Sequence, residues 1–473
     1  MSGSHEFVVV ANRLPVDVQV SSKGKVSWDR SPGGLVTALH PVMQSQDGAW
    51  VGWSGRADTE LDAFEADGMH LVPVPLSKAE VANYYEGFSN ATLWPLYHDV
   101  IVNPVYHRTW WNSYLEVNRR FSEAAAGAAA QGATVWVHDY QLQLVPQMLR
   151  RLRPDVRIGF FNHIPFPPVE LFGQLTWRKQ VVEGLLGADL IGFQRTGDAA
   201  NFLRAVRRFT DFTPRGQSVT IGQHWTRPER HVRVGTFPIS IDSTQVDELA
   251  RSEKTAQRAA ELRRELGEPD VLLLGVDRLD YTKGIRHRIK AFGELLAEKK
   301  VTVPTTALVQ VASPSREQVE QYRNLRQEVE VMVGNINGDY SSWGRSAIYY
   351  MHHSYPQEEM VALYRAADVM LVTALRDGMN LVAKEYVAAR HDLGGVLVLS
   401  EFAGAADELG QALLVNPHDI EGLKSAMMRA ATMEPPERRR RMRALRKRVL
   451  SGDVQSWARK FLTALAADRN PHE

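Results

Sequence analysis

A continuous apolar run leads into a polar loop in the stretch Val271-Leu272-Leu273-Leu274-Gly275-Val276-Asp277-Arg278-Leu279-Asp280-Tyr281-Thr282-Lys283-Gly284. Helix-period sequence begins directly after it, at Ile285. A run of apolar residues that does not alternate with polar ones is typical of a strand buried on both faces, as in a parallel sheet. The stretch therefore predicts a strand, a loop and a helix of an α/β fold.

Comparable apolar runs recur along the chain, each followed by a polar or glycine-bearing loop and then by helix-period sequence. They are Phe7–Ala11, Thr134–His138, Arg157–Asn162, Leu190–Phe193 and His231–Phe237 in the first half, and Val271–Val276, Ala307–Ala312, Val369–Ala374, Gly395–Leu399 and Ala412–Val415 in the second. Two such series predict two Rossmann-like, doubly wound α/β domains that meet near Pro238–Asp242. Ile336–His353 interrupts the second series and predicts a loop followed by a short strand. Because ligands bind outside the carboxyl ends of parallel strands, the loops after these strands are the candidate sites.

The composition is that of a globular protein with little overall charge. The chain has 473 residues, of which 44% are hydrophobic and 23% charged, and its formal net charge is +1. That balance provides no long-range field to attract nucleic acid or an anionic membrane. The chain has no cysteine, which excludes disulfides, zinc-thiolate sites and cysteine nucleophiles. With no leader-like N-terminus and no apolar run of about 18 residues, the sequence predicts a cytoplasmic protein.

The loop after Val271–Val276 carries two cations at a predicted strand end. Arg278 and Lys283 lie beside a helix N-terminus, whose free N–H groups favour anions. Together they could neutralise a diphosphate whose charge develops as a bond to it breaks. The alternative is a pair of surface cations in salt bridges with Asp277 and Asp280. The loop alone does not decide between the two interpretations.

A second loop, Arg376–Leu381, follows a predicted strand in the same way. Gly378 permits close backbone approach, and the helix that follows offers N–H groups to a phosphate. Glu385 lies one turn into that helix, where an acidic side chain can accept hydrogen bonds from both hydroxyls of a nucleotide ribose. The alternative is that Glu385 pairs with Lys384 or Arg390 at the surface.

The first half offers weaker signals at the corresponding strand ends. Gly33-Gly34 opens a predicted helix, where backbone N–H groups can meet a phosphate. Asp139 and His163 each follow a predicted strand, so we expect them at the same edge of the sheet. Alone, an aspartate before a helix is usually an N-cap and a single histidine a packed residue. Their shared edge favours a functional site.

Other motifs are absent or are better explained as structure. The chain has no G-x-x-x-x-G-K-[ST], G-x-G-x-x-G or G-x-S-x-G motif, which argues against a P-loop enzyme, a nicotinamide dehydrogenase and a nucleophile-elbow hydrolase. His352-His353 lacks acidic partners at metal-ligand spacing, and we predict neither a metal site nor a cofactor. The basic run Glu437–Arg448 carries Met442, Leu445 and Val449 on one face and predicts a solvated amphipathic helix rather than a nucleic-acid site.

Eight motifs follow one another in order: Ala11–Pro15, Gly33–Leu35, Trp50–Gly55, Tyr84–Pro95, His138–Leu142, His163–Pro167, Val276–Gly284 and Arg376–Tyr386. As an ordered set they resemble the trehalose-6-phosphate synthase family, which are retaining glycosyltransferases of the GT-B architecture. The resemblance implies two Rossmann-like domains that face each other. These would be an acceptor domain over residues 1–240, a nucleotide-sugar domain over 241–455, and a C-terminal helix over 456–473 that packs back on the first domain.

The resemblance also implies an acceptor, glucose 6-phosphate. Its phosphate would be bound by Arg13, Tyr85, Trp94 and Arg316. Asp139 matches a position that holds hydroxyls of the acceptor sugar, and His163 matches a residue close to the transferred glucose. Two guanidinium groups can fork onto a phosphate, while Tyr and Trp donate from rigid rings.

On the donor side the resemblance assigns Arg278 and Lys283 to the diphosphate. The second loop would complete that site through the positions Gly378, Met379, Asn380, Leu381 and Val382. Asp377 would contact the glucose hydroxyls, Glu385 the ribose, and Tyr355 and Met360 would lie near the base. Gly33 and Gly34 would also contact the donor, and the Gly34 N–H would donate to the diphosphate when the domains close. The catalytic candidates are Arg278, Lys283, His163 and Asp139.

The implied activity moves glucose from a nucleotide-glucose to glucose 6-phosphate with retention, giving α,α-trehalose 6-phosphate and a nucleoside diphosphate. We find no convincing pair of carboxylates about 5 Å apart of the kind retaining glycosidases use, and the resemblance implies front-face attack instead. Two alternatives stay open: a pseudo-glycosyltransferase with a cyclitol donor, and a non-catalytic sugar-phosphate sensor. The sequence leaves open UDP-glucose or GDP-glucose as donor, and a monomer or a homo-oligomer. It predicts no nucleic-acid or membrane partner.

Overall fold

The chain divides into two compact units, each built on a mainly parallel sheet. The computed structural model describes residues 3–20, 26–30, 36, 39, 43, 48–222 and 229–467. The first unit is Met1–Ile239 with Gln455–Glu473, and the second is Ser240–Val454. Within the described residues, no helix has both the length and the apolar character needed to cross a membrane.

The sheet of the first unit has a parallel centre and antiparallel edges. Its strands are β1 (His5–Arg13), β4 (Gly48–Trp53), β5 (Phe64–Ala66), β6 (Met69–Pro73), β7 (Ala129–His138), β8 (Arg157–Phe161), β9 (Leu190–Phe193), β10 (Pro214–Arg215), β11 (Ser218–Ile221) and β12 (Arg230–Thr236), while β2 (Val16–Val20) and β3 (Val26–Arg30) form a separate hairpin. The strand order is β10-β11-β12-β9-β8-β7-β1-β4-β6-β5. The seven strands from β12 to β6 run parallel, and β5, β10 and β11 pair antiparallel at the edges.

Helices cover this sheet and one of them has an unusual hydrogen-bond pattern. A helical segment starts with Lys78–Glu80, continues with π-type hydrogen bonds over Val81–Leu93 and ends with Trp94–Tyr97. The other described helices of the unit are Arg108–Ala128, Val145–Leu152, Val169–Phe172, Arg178–Leu185, Thr196–Phe209 and the C-terminal Val454–Ala466. π-type turns are rare and often occur at functional sites.

The sheet of the second unit has the strand order of dinucleotide-binding folds. Its strands are β13 (Val271–Arg278), β14 (Thr306–Ser313), β15 (Ile348–Met351), β16 (Val369–Val372), β17 (Val396–Ser400) and β18 (Leu413–Val415). All pair in parallel in the order β15-β14-β13-β16-β17-β18. Counted within the unit this is 3-2-1-4-5-6, the doubly wound Rossmann order, and the predicted fold class is confirmed. The topological switch point, where such folds bind ligands, lies between β13 and β16.

The helices of the second unit include one that the sequence interpretation missed in part. They are Ser243–Arg251, Glu253–Glu265, Ile285–Ala297, Glu320–Tyr340, Gln357–Ala366, Leu381–Ala389, Ile420–Ala431 and Pro435–Leu450. The predicted loop at Ile336–His353 is wrong as far as Tyr340, because the helix continues to that residue. Ile336 packs closely on Gly293, where an added Cβ would lie 2.8 Å from its side chain. Asn337 exchanges two hydrogen bonds with the backbone of Ile348, which ties the helix to β15.

The C-terminal helix Val454–Ala466 packs into the core of the first unit. The Phe461 ring stacks on Trp136 of β7 with centroids 4.5 Å apart. The Trp457 indole donates to the carbonyl of Phe237 at 3.0 Å. Close packing requires glycine at position 159, since an added Cβ would lie 2.8 Å from Phe461. In the second unit, Met442, Leu445 and Val449 of the basic helix Pro435–Leu450 are buried, as its periodicity predicts.

Candidate functional site

The turn between β13 and the helix Ile285–Ala297 holds Lys283 at the carboxyl edge of the second sheet. Gly284 has a φ of +66°, and a Cβ at this position would lie 2.0 Å from the carbonyl oxygen of Thr373. Glycine is therefore required for the turn to pack against the strand end. The Lys283 ammonium lies 2.6 Å from Oδ2 of Asp377, 94 positions further along the chain. The two loops selected from the sequence are thus in direct contact at the switch point.

A buried ion pair lies beneath this turn. Arg288 is fully buried, and its Nη1 is 2.7 Å from Oδ2 of Asp277. Its guanidinium also donates to the Lys283 carbonyl at 2.8 Å and to Oγ1 of Thr373 at 2.9 Å. Burial raises the pKa of Asp277 to about 6, against the opposing effect of Arg288 and Lys283. Arg288 therefore links the backbone of Lys283 to β13 through Asp277 and to the end of β16 through Thr373, the two strands that flank the switch point.

Asp280 organises the other side of the same loop. Its Oδ1 accepts a hydrogen bond from the Thr282 amide at 2.9 Å, and its Oδ2 accepts from Arg316 at 3.2 Å and from the Tyr322 hydroxyl at 3.0 Å. Burial on its own would raise the pKa of Asp280, but Arg316, Arg278 and Lys283 outweigh it and lower the pKa to about 2. A fully buried carboxylate thus stays charged inside a cluster of cations.

For Lys283, these contacts contradict the alternative that Arg278 and Lys283 form surface salt bridges with Asp277 and Asp280. Asp277 pairs with Arg288, and Lys283 pairs with Asp377 rather than with an acid of its own loop. Lys283 is only 9% exposed. Arg278 lies at the exposed end of β13. The loop thus combines a nearly buried cation with an accessible one at a strand end, and the two together could bind an anion.

The second loop is held in an uncommon backbone conformation by its own asparagine. Asn380 has a φ of +83°, which for a residue other than glycine costs on the order of 1 kcal/mol or more. Its Oδ1 accepts from the Ala383 amide at 3.1 Å and caps the helix, while its Nδ2 donates to Oδ2 of Asp377 at 3.1 Å. An added Cβ at Gly404 would lie 2.0 Å from the carbonyl of Gly378, so the neighbouring loop packs directly on this one.

The loop residues Met379, Leu381 and Val382 lie where the sequence predicts a helix start. The helix begins at Leu381, and Asn380 is its N-cap. Met379 is buried, and its carbonyl accepts a hydrogen bond from the Ala405 amide at 2.8 Å. The N–H groups in the first turn of this helix therefore lie close to Asp377 and Lys283, where they could donate to a phosphate.

Glu385 does not form the surface pair considered from the sequence. Its Oε2 accepts a hydrogen bond from the Tyr364 hydroxyl at 2.9 Å. Lys384 pairs with Glu408, and Arg390 pairs with Asp392. Burial raises the pKa of Glu385, which the Tyr364 hydrogen bond only partly offsets. A half-buried carboxylate held by one hydroxyl retains acceptor capacity for a ligand.

The residues matched to the base-binding region lie between the two loops in the chain. Tyr355 follows β15, and its ring meets that of His353 edge-on with centroids 4.8 Å apart. Met360 lies on the helix Gln357–Ala366, four positions before Tyr364. Residues four apart share one helix face, which places Met360 on the face that reaches Glu385. Both Tyr355 and Met360 are partly exposed.

In the first unit, Arg13 and Tyr85 meet at one tryptophan. The Arg13 guanidinium carbon lies 5.2 Å from the centroid of Trp53, and the Tyr85 ring lies 5.9 Å from the same ring system. Gly55 leaves room for this arginine, since its φ is +87° and an added Cβ would lie 2.2 Å from Nη2. Arg13 also pairs with Asp17 at 3.2 Å, with both side chains about half exposed. An accessible guanidinium stacked on an aromatic ring can receive a phosphate.

Trp94 packs in a separate group of rings. It is 3% exposed, and its ring lies 5.6 Å from that of Tyr140. The Tyr140 hydroxyl donates to Oδ1 of Asn90 at 2.7 Å. Trp94 and Tyr85 both belong to the helical segment with π-type hydrogen bonds, which connects the two groups along the chain.

Asp139 and His163 meet at the carboxyl ends of β7 and β8, as the strand pattern predicts. Asp139 has a φ of +75° and its Oδ1 accepts from the His163 amide at 3.1 Å. Nδ1 of His138 lies 3.1 Å from Nε2 of His163. Burial, with a smaller effect of His163, lowers the pKa of His138 well below its usual value, and burial lowers that of His163 to about 3.

Arg316 lies in the second unit, where its guanidinium contacts Asp280 and lies over the Tyr322 ring with its central carbon 5.5 Å from the centroid. Its side chain is 5% exposed. Gly33 and Gly34 lie outside the described residues.

Sequence reasoning missed the supporting residues Arg288, Tyr322 and Tyr364. Arg288 carried a signal, because it stands with Ile285, Ile289 and Phe292 at the spacing of one apolar helix face. A charged residue at a core position predicts a buried ion pair. The two tyrosines carried no comparable signal.

The chain is similar to a known protein family and to known proteins. The family model described as glycosyltransferase family 20 matches residues 5–467. A trehalose-6-phosphate synthase of Mycobacterium sp. (strain JLS) is 59% identical over 98% of this chain and 97% of its own length. A trehalose-6-phosphate synthase of Mycolicibacterium smegmatis is 58% identical over 99% of this chain and 93% of its own length.

Solved structures of similar proteins share the fold. An α,α-trehalose-phosphate synthase (UDP-forming) from Burkholderia xenovorans, in complex with glucose-6-phosphate, is 33% identical, covers 98% of this chain and 100% of its own, and has a TM-score of 0.88. A structure described as trehalose-6-phosphate from E. coli bound with UDP-2-fluoro glucose is 34% identical, covers 98% of this chain and 99% of its own, and has a TM-score of 0.87.

Proposed function

This chain belongs to glycosyltransferase family 20, and on that premise we propose that it transfers glucose from a nucleotide-glucose to glucose 6-phosphate with retention. The products are α,α-trehalose 6-phosphate and a nucleoside diphosphate. The observation that carries the proposal is the contact between Lys283 and Asp377 at the switch point of a 3-2-1-4-5-6 sheet. That position is where doubly wound folds bind nucleotides.

The donor is proposed to bind along the two switch-point loops. Arg278 and Lys283 would neutralise the diphosphate, and the N–H groups at the start of the helix Leu381–Ala389 would complete its shell. Asp377 would accept hydroxyls of the transferred glucose. Glu385, which has acceptor capacity beyond its bond to Tyr364, would accept the ribose hydroxyls, with Tyr355 and Met360 near the base.

The acceptor is proposed to bind through Arg13, Tyr85, Trp94 and Arg316, with Asp139 on its sugar hydroxyls. The exposed guanidinium of Arg13 on Trp53 supports the phosphate assignment most directly. The Arg316 guanidinium is held by Asp280, which fixes its orientation. We propose that residues 1–240 bind chiefly the acceptor and residues 241–455 the donor, in a cytoplasmic enzyme.

The proposed reaction is front-face displacement. The bond between the glucose C1 and the diphosphate oxygen breaks, and the acceptor hydroxyl oxygen forms the new bond to C1 on the same face. The acceptor proton passes to the leaving diphosphate oxygen. Arg278 and Lys283 stabilise the negative charge that develops there, and the two binding sites supply proximity.

The test is to supply UDP-glucose or GDP-glucose with glucose 6-phosphate and to identify the product by mass and by NMR of its two anomeric protons. We expect a phosphorylated α,α-linked disaccharide with at least one donor. Lys283→Ala should lower kcat on the order of a hundredfold, whereas Lys290→Ala, on the exposed face of the next helix, should not. Near-normal turnover of Arg278→Ala would contradict the assignment of the diphosphate site.

The same assay separates the two alternatives. A sugar-phosphate sensor would bind glucose 6-phosphate in a calorimeter without releasing nucleotide. A pseudo-glycosyltransferase would release nucleotide only with a cyclitol donor. A panel of donors at fixed glucose 6-phosphate then determines which base the enzyme prefers.

A further inference from the structure

His138 ends β7 and His163 follows β8. The two side chains contact each other in a way that the proposed mechanism does not use. Nδ1 of His138 and Nε2 of His163 are 3.1 Å apart, the ring centroids are 5.3 Å apart, and the ring planes are inclined by 28°. His138 is 1% exposed, and its other ring neighbour is Trp136 at 4.7 Å. Both rings are neutral at physiological pH, because burial lowers both pKa values. In a neutral pair one nitrogen donates and the other accepts.

The surroundings of His138 decide which ring donates. Its Nε2 is buried and has no hydrogen-bond partner among the described residues. Buried N–H groups without an acceptor are rare in native proteins, whereas an unpaired lone pair is better tolerated. The proton of His138 therefore lies on Nδ1, where it has an acceptor. His163 then accepts at Nε2, so its own proton must lie on Nδ1.

We propose that His138 is a positioning residue that holds His163 in the Nδ1–H tautomer. His163 is fastened twice, at Nε2 by His138 and at its backbone amide by Asp139. Its Nδ1–H is then the remaining ring donor of this half-buried residue. The group it recognises is an oxygen acceptor, such as a hydroxyl or phosphate oxygen of a sugar substrate. The link to catalysis rests on the proposed function, but the tautomer does not.

This assignment limits what His163 can do chemically. With Nε2 occupied by the His138 N–H, the ring presents no basic nitrogen to a substrate and cannot take the acceptor proton. It acts instead as a neutral hydrogen-bond donor beside the reacting sugar. That leaves the leaving diphosphate oxygen as the proton acceptor in the proposed reaction.

The tautomer can be read directly by long-range ¹H–¹⁵N NMR of protein labelled with ¹⁵N-histidine. Signals are assigned by their loss in His138 and His163 variants. We expect both rings of the wild-type protein to show a protonated Nδ1 and an unprotonated Nε2. A His163 signal with a protonated Nε2 overturns the proposal, whatever the enzyme's activity.

Two substitutions test the consequence for catalysis. His138→Asn keeps an amide N–H close to the place of Nδ1–H and should retain the His163 tautomer and most of the activity. His138→Leu removes the donor and should shift His163 toward Nε2–H and lower kcat roughly tenfold, the equivalent of one hydrogen bond, with little change in the donor KM.

Phe161→Leu is the packing control, because the Phe161 ring lies 4.7 Å from that of His163 without a hydrogen bond to it. It should leave the tautomer unchanged. Equal kinetic losses in the Asn and Leu variants of His138 would overturn the positioning role. Absence of glycosyl transfer in the wild type would instead contradict the proposed function and leave the NMR result to stand on its own.

Discussion

Replacement of Arg288 by methionine tests the buried ion pair that supports the donor loops. The side chain is fully buried and contacts Asp277, the Lys283 carbonyl and Thr373 Oγ1. Methionine fills a similar volume but leaves these three acceptors without their donor. Removing one partner of a buried pair costs about 3–5 kcal/mol, because the remaining charge is uncompensated.

Protonation of Asp277 sets the pH dependence of that loss. Its pKa in the folded protein is already raised to about 6, above its value in the unfolded chain, and removal of Arg288 raises it further. A carboxyl that binds its proton more tightly when folded makes stability fall as pH rises. The loss in Arg288→Met should therefore be smaller at pH 5 than at pH 8. The difference is about 1.4 kcal/mol for each pH unit over which the variant keeps a proton that the wild type has released.

Scanning calorimetry at pH 5 and pH 8 measures the effect. A loss of about 3–5 kcal/mol should lower the Tm by about 6–20 °C for a unit of this size. Arg286→Met is the matched control, since Arg286 lies on the same helix, is 41% exposed and pairs with Glu328 at the surface. That change should cost under about 1 kcal/mol. Equal and pH-independent losses in the two variants would refute the reasoning.

Three further predictions follow from single positions. Gly284→Ala should lower the free energy of unfolding by about 2 kcal/mol or more, because the residue has a left-handed backbone and an added Cβ would clash with the Thr373 carbonyl. Gly334→Ala is the control, since nothing lies within 4 Å of its added Cβ, and it should leave the Tm in a thermal scan unchanged. Glu385→Gln should raise the donor KM roughly tenfold in steady-state kinetics while the acceptor KM stays constant; a donor KM equal to wild type would remove Glu385 from the ribose site. Because the pKa of Asp280 is lowered to about 2, its contribution to stability is present above pH 4 and is lost as pH falls toward 2. Acid titration of unfolding should therefore show Asp280→Asn, which leaves Arg316 buried without its carboxylate, well below wild type at pH 7 and converging with it by pH 2.

Composition and periodicity were sufficient for the central strands of both sheets. β16 and most of β13 are buried, and both are apolar over Val369–Val372 and Val271–Val276, a continuous pattern that is visible in one sequence. The short edge strands β5 and β10, of three and two residues, were not predicted. Such strands have no pattern of their own and exist because a neighbouring strand offers hydrogen bonds.

At Tyr340 the sequence prediction instead ended a helix too early. Gly, Asn, Asp and Ser after Ile336 indicate a loop by local propensity. Packing of Ile336 on Gly293 and the hydrogen bonds of Asn337 with Ile348 stabilise helix there instead. Propensity is worth less than about 1 kcal/mol per residue, and tertiary contacts of this kind exceed it.

For the candidate site, the residue types and their strand-end positions were readable without coordinates. Arg278, Lys283, Asp377 and Glu385 follow strands whose carboxyl ends share one edge, and their roles as ligands of a donor stay predictions. Which side chains pair was not readable. The contacts of Lys283 with Asp377 and of Glu385 with Tyr364 join residues far apart in the chain. Local sequence constrains backbone torsions and burial patterns, whereas side-chain partners depend on how strands and helices come together, and that is decided only when the whole sheet has formed.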